Sequence, residues 1–200
     1  AVDNSAGTVY ATRHLRYENS AGTLTNAGGQ FGAGDTAWLD LARIDNTDEG
    51  RIQAGTLWLT ATQLDNAGGE AGADILHAQI GTMTGSGRLY AAQWLELAFS
   101  GNFTYEDGEQ LESGDRLDLS VGGTFTNHGT LESAGSLNLT AGNVVNTGTI
   151  NASNDSGTGV NHISASGTID NRTGASIEGD TVELTAGNVT NTGDIVGDVV

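Results

Sequence analysis

Four acidic residues stand between paired aliphatic ones, in Leu39-Asp40-Leu41, Leu95-Glu96-Leu97, Leu117-Asp118-Leu119 and Val182-Glu183-Leu184. Carboxylates repeated at equivalent places suit glycoside cleavage, in which two of them flank the scissile bond at roughly 5 to 10 Å. Lyases of acidic polymers need a basic residue or calcium in addition. Trp58, His77 and Asn138 occupy the same place in other blocks and interrupt the acidic column. A solvated acidic face is therefore the stronger reading, and a polysaccharide lyase or hydrolase the weaker one. His14, His77, His128 and His162 are scattered, without the spacing that puts a pair on one face, so no metal site is expected. Gly28-Gly29-Gln30-Phe31-Gly32-Ala33-Gly34-Asp35 has the glycines of a calcium-binding nonapeptide but occurs once, and it lacks the Lys-Ser/Thr ending of a phosphate loop. No cofactor is implied and no catalytic residue is assigned.

Tryptophans are the more informative side chains. Trp38, Trp58 and Trp94 alternate with aliphatic neighbours, so in an extended chain they point away from the buried side. Large apolar rings left outside are either covered or used for contact. Two readings stay open: they lie under an inserted loop such as residues 61–73, or they are candidate ligand or partner contacts, stacking on sugar rings or meeting a receptor.

The elements that must position these residues repeat. The aliphatic pairs, with Leu57-Trp58-Leu59, Leu137-Asn138-Leu139 and the weaker Leu76-His77-Ala78 and Ile163-Ser164-Ala165, recur about every twenty residues, and their alternation is that of a strand with one buried face. After each comes an aliphatic or aromatic residue, a variable one and an asparagine: Asn46, Asn66, Asn127, Asn146, Asn171 and Asn191, usually followed by glycine. Phe103 and Tyr105 break that rule. A third short segment follows, as in Ile52-Gln53-Ala54, Leu131-Glu132-Ser133 and Ile150-Asn151-Ala152. Three short strands in so few residues cannot make a sheet with its own core, and no helical period lies between them. The solution is a coil: an all-β, right-handed parallel β-helix with about 20 residues and three short strands per turn, equivalent strands stacking roughly 4.8 Å apart. Irregular spacing marks residues 1–34 and regular repeats run over 35–200, as one continuous solenoid segment. The six asparagines then line up at one corner as a structural ladder of side-chain amides.

Composition narrows the setting. The formal charge is -18, and the only cationic side chains besides histidine are seven arginines, so no basic stripe exists for nucleic acid or anionic lipid. There are 31 glycines, no proline and no cysteine, which removes disulfides, thiolate metal sites and thiol nucleophiles. No apolar run approaches the roughly 20 residues of a membrane span, and the first residues do not have the pattern of a signal peptide. Both ends stop in mid-repeat, so open sheet edges and end-to-end association are expected.

The block from Ser133 to Ile150, Ser-Ala-Gly-Ser-Leu-Asn-Leu-Thr-Ala-Gly-Asn-Val-Val-Asn-Thr-Gly-Thr-Ile, resembles the filamentous haemagglutinin repeats of two-partner-secreted exoproteins. That group comprises haemagglutinin adhesins and the toxin carriers of contact-dependent growth inhibition. The resemblance implies a β-helical filament, secreted and held on the surface of a Gram-negative bacterium, with flanking repeats of the same polypeptide and an outer-membrane transporter as partners. The Asn-Pro-Asn motifs of the secretion domain and the Val-Glu-Asn-Asn pretoxin motif are absent, so the resemblance places the chain in the internal shaft. The function implied is structural and not enzymatic: presenting distal adhesive or toxin modules to target cells. The alternative is an adhesin segment that binds a host or target-cell receptor or glycan through exposed aromatics.

Burying a leucine of a pair is worth roughly 1.5 to 3 kcal/mol before entropy, and an unpaired buried carboxylate costs more. Replacing Leu139 by Asp is therefore expected to lower thermal stability far more than replacing Asn138 by Asp, and equal shifts in melting temperature would refute the alternation.

Overall fold

Alternating aliphatic and polar residues put the aliphatic ones on one side of an extended chain. The structure, a computed structural model, uses that side as its interior; it describes residues 1–152, 154 and 156–198, so the last two positions of the repeat region lie outside the described residues. Among these there are eighteen strands and no helix, and the strands pair in parallel, as Thr36–Asp45 does with Arg51–Asp65 and Arg116–Asn127 with Ser136–Asn146. The chain divides into two units, residues 1–97 and 98–200, and in each of them parallel strands stack turn upon turn as a β-solenoid with about twenty residues per turn.

In the first unit the strand Thr36–Asp45 lies between His14–Thr25 and Arg51–Asp65, and Arg51–Asp65 pairs onward with Glu70–Thr84. Ala37, Leu57 and Leu76 share one inward rung position, Leu39, Leu59 and Ala78 the next, and Leu24, Ile44 and Leu64 a third across the corner; all are buried. In the second unit Leu119, Leu139 and Ile163 form such a column, Leu131, Ile150 and Ile177 another, and Phe103, Phe125, Val144 and Ile169 a third. Phe103 stacks on Phe99 at 3.9 Å between ring centroids and lies 6.0 Å from Phe125, which fills the break that these residues make in the asparagine rule.

Two features differ from the pattern read in the sequence. The first two of the three segments per turn join into one bent strand, as in Arg116–Asn127, whose pairing with Ser136–Asn146 shifts register between Val121 and Thr124. In Arg51–Asp65 all three run on as a single strand. Hydrogen bonding passes round these corners because the glycines and small polar residues there let the backbone turn without leaving the ladder. Some pairs also align two residues away from where leucine spacing alone puts them: Leu39 is opposite Leu59, with Leu57 opposite Ala37, and Ile163 is opposite Leu139, with Asn161 opposite Leu137, whereas Leu57 meets Leu76 and Leu117 meets Leu137 as the spacing has it. A slip of two residues keeps every side chain on its own face, so inward and outward assignments survive while the outward columns change membership.

Candidate functional site

The asparagine corner is built from side-chain amides that each span one turn spacing. In the first unit Asn4, Asn26, Asn46 and Asn66 form a chain in which each Nδ2 donates to the next Oδ1 at 2.7 to 2.8 Å. In the second unit Asn127, Asn146, Asn171 and Asn191 do the same over the same range. The second hydrogen of each donating amide goes to a backbone carbonyl of the following turn: Glu70 for Asn46, Thr149 for Asn127, Ser176 for Asn146. Asn46, Asn66, Asn127, Asn146 and Asn171 have no exposed surface, so the amides replace water for one another completely. Asn4 and Asn26 escaped the sequence reading because their repeats are irregular, although Leu24-Thr25-Asn26 has the required triplet.

The glycines beside this corner answer to the neighbouring turn. A Cβ on Gly69 would lie 1.7 Å from the Asn46 carbonyl oxygen, and one on Gly148 would lie 2.1 Å from that of Gly129. Gly129 and Gly148 also donate their N–H to the Oδ1 of Asn127 and Asn146. In the turn below Asn127, Tyr105 takes the asparagine position. Its single phenol O–H has two carbonyl acceptors within reach, Glu109 at 2.8 Å and Thr130 at 3.2 Å, the latter being the register partner of the Thr149 carbonyl that Asn127 uses. Burial pushes the Tyr105 phenol above the usual range, with the carboxylates of Glu109, Glu112 and Glu132 adding to the effect. Burial likewise raises the Glu109 carboxyl.

Trp38 and Trp58 share one outward column of the first unit with Arg16 below and His77 above. Trp58 stacks on His77 at 4.0 Å and 17°, and His77 meets the edge of Trp94 at 4.8 Å. Trp38 lies 5.9 Å from the His14 ring, with the Arg16 guanidinium 5.9 Å from its own centroid. His77 Nδ1 pairs with the Glu96 carboxylate. The covering loop expected over these rings does not exist: residues 61–73 belong to the strands Arg51–Asp65 and Glu70–Thr84 and the turn between them. The rings are shielded by each other, by His77 and by Arg16, and Trp58 is left 45% exposed.

The four acidic residues do not form one column. Asp40 falls in register with Glu18 and Thr60, beside the tryptophans, whereas Asp118 shares its column with Asn138, His162 and Glu183. Asp118 is held by Arg116 at 2.7 Å and by Asn138 at 2.7 Å, and Glu183 by His162 at 2.9 Å. Their oxygens are engaged in ion pairs and hydrogen bonds along the face, a use that needs no substrate. His128 bonds Thr147 at 2.7 Å, and no cluster of metal-ligating side chains occurs among the described residues. Gly28 of the glycine-rich run sits in a tight turn with φ +63°, and Gln30–Ala33 is a strand of the stack.

Sequence reasoning missed a recess of about 340 Å³ on the third face of the first unit, between Tyr10 and Tyr90. Its two tyrosines are far apart in the chain and carry no motif; only their approach across Gly34, Gly55 and Gly72 reveals it.

Two curated proteins are similar to this chain. The tRNA nuclease CdiA-2 of Burkholderia pseudomallei (strain 1026b) is 28% identical over 76% of this chain and 6% of its own length. The deoxyribonuclease CdiA of Dickeya dadantii (strain 3937) is 34% identical over 51% of this chain and 3% of its own length. The chain thus spans only a small part of either relative. No protein-family model matches it, and neither does a solved structure. CdiA relatives together with a β-solenoid of about twenty residues per turn agree with the filamentous haemagglutinin-type repeat resemblance and with the contact-dependent inhibition setting it implies.

Replacing Asn146 by Ala removes donors to Asn171 and Ser176 and the acceptor of Asn127 from a site without water, which is expected to cost about 2 to 5 kcal/mol. Chemical denaturation measures this; a loss below about 0.5 kcal/mol, typical of exposed positions, would show that the ladder contributes nothing to stability.

Proposed function

We propose that this chain is a structural shaft segment of a filamentous bacterial exoprotein, secreted and displayed outside the outer membrane, where it holds distal adhesive or toxin modules toward target cells. The observation that carries the reading is the repeated corner: in each unit four asparagines on successive turns join by the same amide hydrogen bond over a column of buried apolar residues, a design that extends by addition. Resemblance to CdiA proteins supports the setting. In it the partners are flanking repeats, a two-partner-secretion transporter during export, and a receptor or glycan met by the whole filament. The nuclease activities in the relatives' names are assigned to parts that this chain does not cover, and the segment itself is not catalytic.

Leu117 is the register partner of Leu137, so residues 117–136 make one complete turn. Deleting them from the surface-displayed parent is expected to preserve folding, display and action on target cells, whereas deleting 117–126 removes half a turn and destroys the stack. Circular dichroism and surface labelling follow the first two, and a target-cell assay the third. Loss of target-cell action with folding and display intact would sink the shaft reading in favour of a binding segment, and cleavage of tRNA or DNA by the purified chain would overturn the non-catalytic assignment.

One observation favours a second role on the same segment. Trp58 keeps nearly half of its surface in water although its ring is held rigid on His77, which suits lateral contact with a partner. Replacing Trp58 by Ala is expected to reduce adhesion of the displayed filament to target cells while the fold persists; unchanged adhesion disposes of the contact role and leaves the column as a brace.

A further inference from the structure

We propose that the recess between Tyr10 and Tyr90 is a binding site for a neutral oligosaccharide, with Tyr10 as the stacking ring, Tyr90 as the fixed wall, and Gln53 and Asp74 accepting hydrogen bonds from sugar hydroxyls.

The floor comes from register. On the third face Tyr10 is opposite Gly32, Gly32 opposite Gln53, and Gln53 opposite Gly72. Gln53 carries its side chain outward between the two glycines and the Tyr90 ring covers Gly72, so the recess, about 340 Å³, opens beside this row over Gly34, Ala54, Gly55 and Ala73. Both tyrosines lean into it from outside. The Tyr10 hydroxyl lies 3.2 Å from where a Cβ on Gly34 would stand, and the Tyr90 ring lies over Gly72, its Cε1 within 2.0 Å of the corresponding point. Any side chain at position 72 would therefore expel the Tyr90 ring, and the glycine is what makes the wall.

The two rings are held differently. Tyr90 is fixed: the Arg88 guanidinium sits 4.2 Å from its centroid, and its hydroxyl accepts a hydrogen bond from Gln53 Nε2 at 3.2 Å. Gln53 Nε2 also donates to Glu70 at 2.9 Å. That amide's donors are thus committed and its oxygen is available as an acceptor. Tyr10 is 64% exposed, the most exposed of the large hydrophobic residues, with an open ring face. An exposed aromatic beside a concave site with a few convergent polar groups is the usual make-up of a small-molecule site.

The polar groups select the ligand. Gln53 through its oxygen and Asp74 through its carboxylate are acceptors, which match hydroxyl donors, and the pyranose C–H face matches the tyrosine ring. With Asp74 in the wall, Glu70 next to it and a formal charge of -18 over the chain, an anionic sugar is repelled. The inference concerns the first unit alone and does not depend on the shaft reading.

The test titrates the 200-residue chain with cellohexaose, maltohexaose and chitohexaose, and with a heparin hexasaccharide as the anionic comparison, using saturation-transfer difference NMR and calorimetry. At least one neutral hexasaccharide is expected to bind. Tyr10→Ala should weaken that binding at least about tenfold without changing the melting temperature. Trp58→Ala, on a different face, should leave affinity unchanged. Absence of transfer from every neutral probe, binding confined to heparin, equal affinity of wild type and Tyr10→Ala, or loss of binding in Trp58→Ala would each overturn the assignment.

Discussion

Every turn of this protein has to meet the next at one spacing on all its faces at once, and the asparagine amide is the side chain that fits this spacing while satisfying itself. It is donor and acceptor on one short rigid arm, so a column of them needs nothing else. The donation runs one way, from each turn to the following one, in Asn26 to Asn46 as in Asn127 to Asn146. Aligned amides in a dry interior polarise each other, and the same dryness makes any gap expensive. Where the chain departs from asparagine, at Tyr105, the substitute is a residue whose hydroxyl still reaches the carbonyl of the next turn. Extra sequence is tolerated between rungs and not within them: Asn146 and Asn171 are 25 residues apart and still bond at 2.8 Å, the surplus falling in sequence between the strands Thr149–Ala152 and Val160–Asn171.

Much of this was legible because the repeat writes its own constraint. Inward leucines and corner asparagines recur at a period that no helix or hairpin explains, and fold class follows from them. Exact register was not legible. Leu-x-Leu looks the same after a shift of two residues, and the deciding partners are alanines, Ala37 below Leu57 and Ala61 beside Leu41, whose inward position carries no apolar bulk to notice. In the first unit the acidic column was misplaced for the same reason, since the shift exchanges Asp40 for Trp38 in the line that leads to His77, whereas in the second unit Asp118, Asn138 and Glu183 share one column as read. Strand boundaries were also hidden, because whether a corner keeps its hydrogen bonds depends on the turn above it and not on its own residues.

Candidate sites on such a fold are spread differently from those of a globular enzyme. Outward positions repeat once per turn, so residues about twenty apart in sequence become neighbours and longer separations become rows. Trp58 meets His77 in that way, and Tyr10 and Tyr90 border one recess lined by Gly34, Gly55 and Gly72. The aromatic column uses part of its ring surface on itself, with Trp58 still 45% exposed, while the tyrosine recess leaves acceptors and a ring face open. Self-stacked rings stiffen a face by roughly 0.5 to 1.5 kcal/mol per pair, whereas an open ring gains only from something outside.

Charge decides what that something is. Of the seven arginines, five are taken up by carboxylates nearby: Arg13 by Asp35, Arg16 by Glu18, Arg88 by Glu70, Arg116 by Asp118 and Arg172 by Asp170. The exposed pairs among them add little stability, since water and salt screen them. Their effect is on the surface field, because a cation already paired offers no anchor to phosphate, sulfate or an acidic lipid, and the carboxylates left over outnumber the cations left over. An anionic partner such as a nucleic acid or an acidic membrane is therefore disfavoured on this surface, whereas an uncharged sugar, held by shape, ring faces and hydroxyl donors, is not opposed by its field.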